Sequence, residues 1–298
     1  MTSTMAYPII DVFKKMRDSL IDYAAVKRNC YYNFDKSGKE DIVVIIPVRG
    51  RTEFSPVTIK EMNNAIGHTG LNISITVIEH SGNPQHKKIC EGKTNYIWLP
   101  ANDITGYEFN KCLAHNVAAL FNTDTKYYLF HDVDILVPNN FFNALWDNIK
   151  TFNAIQTFAG RRLLQLSESV TRNILYNDLD PTYLTAPHPE IKECQPGASG
   201  GSILVDCDLF YRVGGFDPEL FTEYSVEDQF FFDKLMISGA IGFCNNPPIE
   251  LLHLYHAPSF NQETKPQDWA AFNSFHRLSP EEKKLFMSEK ARYLCRFI

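Results

Sequence analysis

Apolar residues recur along this chain in two rhythms, one helical and one continuous. Over 9–24, Ile9, Val12, Phe13, Met16, Leu20 and Ala24 fall at helical spacing, and Asp11, Lys14, Lys15, Arg17 and Asp18 take the opposite face. That pattern predicts an amphipathic helix ahead of the main domain. Such a helix either docks onto the domain or touches a membrane surface peripherally, and its mixed charge signs favour docking. The stretch 42–48 is instead an unbroken apolar run rich in β-branched residues, which predicts a strand covered on both faces of a parallel sheet, with Pro47 near its end.

The alternation then repeats. Ser55-Pro56 suits a helix start, with Ser as cap and Pro in the first turn, and Gly67 suits its end. A second strand is predicted over 73–80 before Ser81-Gly82, and a shorter one closing at Trp98-Leu99. A helix follows over 109–121 and a third apolar strand over 127–131, broken at Asp132. Strands and helices alternating over 41–150 imply βαβ units with right-handed crossovers. Residues 160–195 carry arginines, prolines and weak periodicity, and read as a loop-rich insertion. Beyond them, strands are predicted over 202–205 and 249–255, and helices over 226–236 and after Gln267. The expected class is α/β: a mixed, mostly parallel central sheet flanked by helices, with an N-terminal helical extension. The expected division is 1–38 for that extension, 39–265 for the main domain and 266–298 for a C-terminal helical segment packed on it.

Composition narrows the function. Of 298 residues 44% are apolar and 21% charged, enough for a real core and too little charge for disorder. Lys plus Arg is 29 against 35 for Asp plus Glu, a formal charge of -6, so nothing points to nucleic acid as partner. No apolar run approaches the roughly 18 residues of a membrane span, and residues 1–8 lack the features of a signal peptide. A soluble, cytoplasmic protein is the expectation. The 7 cysteines are odd in number and never spaced C-x-x-C, so reduced thiols are expected rather than disulfides or structural zinc.

Ligands of open α/β sheets collect beyond the carboxyl ends of the strands. That rule directs attention to Arg49 and Arg51, Glu79 and His80, and Asp132 and Asp134. Paired carboxylates at a strand tip are costly unless a cation neutralises them, although helix capping or loop hydrogen bonding would also employ such residues. A divalent ion held by one or two carboxylates keeps positions open for phosphate oxygens, and a histidine ligand tilts the choice from Mg²⁺ toward Mn²⁺. His253 and His256 are the candidates. Spaced three apart on a strand they face opposite ways, so a turn near Tyr255 is required for both to reach one ion. Gly197 to Gly201 would let backbone approach a ligand or simply form a turn. Glu227-Asp228 opens the 226–236 helix, where the helix dipole favours carboxylates in any case, but the surrounding Phe216, Phe221, Tyr224, Phe230 and Phe231 also suit a sugar platform.

In order, Pro47-Val48-Arg49-Gly50-Arg51, Val77 through Gly82, Phe109-Asn110-Lys111, Asp132-Val133-Asp134, Gly200-Gly201, Gly214-Gly215-Phe216, Glu227-Asp228 and His256 resemble the signature series of GT-A (Rossmann-like) glycosyltransferases. The pattern is most similar to that of the β-1,4-galactosyltransferase group and spans residues 42–260. Two places depart from it: the family's acidic run is reduced to Val226-Glu227-Asp228-Gln229, and its Gly-rich, Trp-bearing lead-in is replaced by Thr222 to Ser225. The resemblance implies a metal-dependent transfer from a nucleotide-sugar donor, a UDP-sugar by analogy, to a glycan or other hydroxyl acceptor. It implies that Pro47, Arg49 and Arg51 sit at the nucleotide, with Glu79 or a neighbour at the base and Asp132 at the ribose side. Asp134, His256 and His253 would ligate Mn²⁺ or Mg²⁺, and Gly200 and Gly201 would border the donor sugar. Glu227 would bind the acceptor, and Asp228 would be the base of an inverting reaction. The alternatives are a retaining enzyme on the same sheet and an inactive sugar-binding protein. A sugar-phosphate nucleotidyltransferase would want a Gly-rich, Lys-bearing loop after the first strand, and 47–53 has one Gly and no Lys.

Overall fold

The computed structural model of the chain describes residues 9–34, 38–102, 109–152, 161–177, 179–184, 191–193, 200–222, 225–240, 249–257 and 265–298. Its first half runs α1 (Val12–Asp18), α2 (Tyr23–Asn29), β1 (Tyr31–Asn33), β2 (Glu40–Val48), α3 (Ser55–Gly67), β3 (Ile73–Ser81), α4 (Lys87–Cys90), β4 (Asn95–Pro100), α5 (Lys111–Phe121), β5 (Thr125–His131), β6 (Ile135–Leu136) and α6 (Phe141–Phe152). The second half runs β7 (Arg161–Leu166), α7 (Glu168–Tyr176), β8 (Ile191–Glu193), β9 (Ser202–Asp206), α8 (Cys207–Arg212), α9 (Glu227–Ile237), β10 (Ile249–His253), α10 (Pro266–Arg277) and α11 (Pro280–Leu294).

The main sheet has the order β1-β4-β3-β2-β5-β9. Pairings β2–β3, β3–β4 and β2–β5 are parallel, while β1 and β9 close the edges antiparallel. The apolar run of β2 has the physical cause expected of it. Val43 and Ile45 enter one core with α5 and the terminal helices, and Ile42, Val44, Ile46 and Val48 enter another with α3 and α6, so the two faces are both covered. Helix α5 is buried on nearly every side, from Lys111 to Leu120.

Several expectations change. The 9–24 pattern is two helices, because Asp22 accepts from the Ala25 amide and starts α2 afresh; Leu20 and Ile9 stand exposed rather than on the core face. The apolar face of α1 is nonetheless docked, with Val12 and Met16 buried and the Ile10 amide donating to Ser274 Oγ at 2.9 Å. At α3 the Ser55 side chain does not cap: Phe54 precedes the helix and Ser55 Oγ turns back to the Arg51 carbonyl. The supposed loop region over 160–195 holds β7, α7 and β8, which join β6 and β10 in a second sheet of order β6-β10-β7-β8. No local pattern marks β7 and β8: both are short, and β7 pairs in parallel with β10, whose Ile249 lies opposite Arg161. The strand predicted over 249–255 stops at His253. No helix among the described residues is long and apolar enough to cross a membrane.

Candidate active site

Beyond the carboxyl end of β5 the chain turns sharply. The Asp132 amide donates to the Gly201 carbonyl at 2.8 Å, the Ile135 amide returns to Asp132, and β6 then pairs with β10, Ile135 opposite His253. The Leu254 amide donates to the Asp134 carbonyl at 2.8 Å, and the Tyr255 amide to Thr171 Oγ1 of α7 at 2.8 Å. These bonds end β10 and bend its exit, which meets the condition for both histidines to face one point. His256 Nε2 lies 3.1 Å from Asp134 Oδ2 and His253 Nε2 lies 3.7 Å from Asp134 Oδ1. One ligand atom from each residue falls within 4.8 Å of the others. The backbone thus makes a metal-sized triangle from residues more than a hundred positions apart.

The supporting bonds fit a metal. His253 Nδ1 meets the Gln165 side-chain carbonyl and His256 Nδ1 the Ala257 carbonyl, so each ring donates from Nδ1 and turns Nε2 to Asp134, where a charged ring donates to the carboxylate and a neutral ring would ligate a metal. One carboxylate oxygen with two imidazole nitrogens suits Mn²⁺ better than Mg²⁺. Burial works against ionising Asp134, yet hydrogen bonds from His253 and His256 and the Arg51 charge hold it far below the usual carboxylate range. His256 is raised, chiefly by its hydrogen bond to Asp134. Arg51 pairs with Asp134 from a left-handed backbone, φ +54°, a conformation costing roughly 1–2 kcal/mol in a non-glycine residue.

Across the cleft stands a second cluster. Lys111, the first residue of α5, lies with Nζ 2.9 Å from Asp132 Oδ1, 2.9 Å from Asp228 Oδ2 and 3.6 Å from Glu227 Oε1. Its placement depends on Asn110, which caps α5 through the Leu113 amide, donates to the Pro218 carbonyl, and offers its own amide to His80 Nδ1. Burial, with the Asp228 charge beside it, pushes the Glu227 carboxyl up to about 7. Gly200 touches Asp228: a Cβ there would lie 2.3 Å from Asp228 Oδ2. Gly201 holds φ +85°, where a side chain would also meet Ile135.

Between the clusters is a cavity of about 280 Å³, whose walls include Pro47, Arg49, Arg51, Lys111, Asp132, Asp134, His253 and His256. Arg49 also borders an adjoining hollow of about 410 Å³ formed with Gly50, Ser81, Gly82, Asn83 and Gln85. Glu79 is set apart from both. It is fully buried, accepting from the Gln85 and His86 amides, from Tyr96 and from Ser81, and so shapes the 81–86 wall from behind. His80 is likewise buried behind Asn110. Lys111 was quoted in the sequence motif without a role. Its one mark in the sequence is that it is the single Lys, Arg, Asp or Glu of α5, which does not say what it pairs with.

No protein-family model matches the sequence, and no curated protein does. Among solved structures the chain is similar to the catalytic domain of Drosophila beta1,4-galactosyltransferase 7 in complex with xylobiose, at 17% identity and TM-score 0.45 over 76% of this chain and 79% of that one. It is similar to S. aureus TarS residues 1–349, at 15% identity and TM-score 0.49 over 85% and 71%. A third likeness is to the mannosyltransferase PcManGT from Pyrobaculum calidifontis, in complex with GDP-Man and Mn²⁺, at 15% identity and TM-score 0.45 over 95% and 78%. At these identities and scores the functional reading has to rest on the cleft's own geometry.

Proposed function

We propose that the cleft is the active centre of a metal-dependent glycosyltransferase of GT-A type, moving a sugar from a nucleoside-diphosphate sugar to a hydroxyl acceptor with inversion. One observation carries the reading: an Asp-His-His ligand set shares one cavity, beyond the ends of parallel strands, with Asp132 and Lys111, and Lys111 bonds onward to Asp228. Asp134, His253 and His256 would hold a divalent ion, whose charge would stabilise a departing diphosphate. Arg49 and Arg51 offer planar donors suited to phosphate oxygens, and the hollow beside Ser81 to Gln85 is continuous with Arg49 and leaves room for a nucleoside. The motif resemblance favours uridine there.

On the opposite side Asp228 takes the proton of the attacking hydroxyl as that oxygen bonds to the anomeric carbon and the diphosphate oxygen leaves. One inversion follows, with no covalent intermediate. Glu227, buried beside it, would accept a hydrogen bond from the acceptor. Asp132, shared with Lys111, borders the donor.

Thermal melting tests the site directly, using UDP, GDP, ADP and their hexose conjugates with and without Mn²⁺, on wild type and Asp134→Asn. Binding to the folded state must raise the melting temperature. One nucleotide is expected to stabilise the wild type only with Mn²⁺, and Asp134→Asn to lose that response. No shift with any nucleotide would leave the reading without support and overturn it. With the donor in hand, Asp228→Asn should lower turnover by about 10²- to 10⁴-fold, and the product anomer read by NMR should be inverted.

A further inference from the structure

Asp228 presents a difficulty as a base. It is adjacent in sequence to Glu227, and a carboxylate oxygen of each lies within 3.6 Å of the same Lys111 nitrogen, so two anionic groups meet at one partly enclosed point. Carboxylates so placed share protons rather than all ionise. A protonated Asp228 cannot accept the acceptor's proton.

The groups facing that point come from three elements. From α9 there are Glu227 and Asp228, and from the turn after β5 there is Asp132. From α5 there are Lys111, Cys112 and His115. Burial pushes the Cys112 thiol up and the His115 imidazole well down, so both stay uncharged near neutrality. Among the described residues, Lys111 is the cation whose nitrogen comes within 4 Å of Glu227 or Asp228, and its side chain is only 4% exposed.

We propose that Lys111 is the positioning residue of the reaction: its ammonium keeps Asp228 ionised and aims it, while bonding the same nitrogen to Asp132 fixes the base relative to the donor side of the cleft. The inference rests on the reading of Asp228 as base and adds the group that makes that role possible. The two equal 2.9 Å contacts make the ammonium a strut between β5 and α9, so the distance from donor to base is set by one side chain. Asn110 holds the strut's root by capping α5 and bonding to Pro218.

The test is a pH titration of the side-chain carboxyl ¹³C signals of the whole metal-free chain, in wild type, Lys111→Met and Lys111→Arg, with Asp228→Asn and Glu227→Gln assigning the signals. The Asp228 midpoint should rise by about 1–3 pH units in Lys111→Met, the usual influence of a neighbouring opposite charge, and return toward wild type in Lys111→Arg. A lysine serving the fold alone would lower the melting temperature and leave that midpoint where it was. An unchanged midpoint in folded Lys111→Met overturns the proposal. If Lys111→Met does not fold, the Lys111 ¹⁵Nζ signal of the wild type decides: a bridged ammonium exchanges protons slowly and its signal moves in Asp228→Asn, whereas indifference to that substitution overturns the proposal. Failure of the base reading shows differently, as Asp228→Asn retaining turnover while Lys111→Met still moves the midpoint.

Discussion

At the scale of single residues, the site depends on close approaches that tolerate no extra atoms. Gly200 is the sharpest case, since an added methyl would sit 2.3 Å from the Asp228 carboxylate and must displace it. Gly200→Ala is expected to lower turnover about 10²-fold, the size associated with displacing a catalytic group by about 1 Å, with little change in melting temperature. Steady-state rates beside a melting curve check this; full activity would show that Asp228 need not stay where the structure holds it. Asp134, Glu227 and Asp228 were visible as candidates in the sequence because carboxylates follow an apolar strand or open a helix there. Lys111 was not, because its meaning lies in three partners from segments 21 to 117 positions away, and linear spacing does not record such neighbours.

At the scale of elements, the loop after β3 shows how a buried charge builds a wall. Burial raises the Glu79 carboxyl, but hydrogen bonds from His86, Tyr96 and the Gln85 and His86 amides outweigh it and hold the group down at about 2, against an ordinary value of 4.5. A carboxyl depressed by folding stabilises the protein above its unfolded value and loses that contribution as the pH falls through its folded one. Glu79 therefore supports the fold fully above about pH 4.5 and progressively less down to about pH 2. Urea midpoints of wild type should fall across that window by an amount worth about 2–3 kcal/mol from this group, and Glu79→Gln should be less stable at pH 6 with a flatter acid slope. Equal slopes would show that the loop does not depend on this charge. The elements themselves differ in legibility. The α3 bounds and the cores of β2, β3 and β5 follow from local periodicity, whereas β1, β7 and β8 are three to six residues long and exist because a distant strand offers its edge.

At the scale of the whole molecule, buried ion pairs and hydrogen bonds join the terminal helices to the segment that leads into α9. Lys234 of α9 bonds to Asp217 and to the Gly215 carbonyl, Lys290 of α11 lies 2.6 Å from Glu219, and Tyr23 of α2 accepts from Asn116 of α5. The terminal helices thereby brace the turn over 214–220 that leads into α9 and the carboxylates at its start. Lys290→Met leaves Glu219 buried without its partner and is expected to cost about 3–5 kcal/mol, read from denaturant unfolding. A cost below about 1 kcal/mol would show α11 to be dispensable to the brace. By itself the amino-acid sequence determined the α/β alternation, the strand tips where chemistry collects and the residue types gathered there, because periodicity, strand breaks and buried charge are written locally. Only the tertiary structure decided which of those residues meet. It turned the exit of β10 so that His253 and His256 share Asp134, it drew Glu79 behind the wall rather than into the cleft, and it set Lys111 between Asp132 and Asp228. The reason is that strand pairing and helix packing bring together groups far apart in the chain, and the energies that choose among such meetings depend on distance and burial in three dimensions.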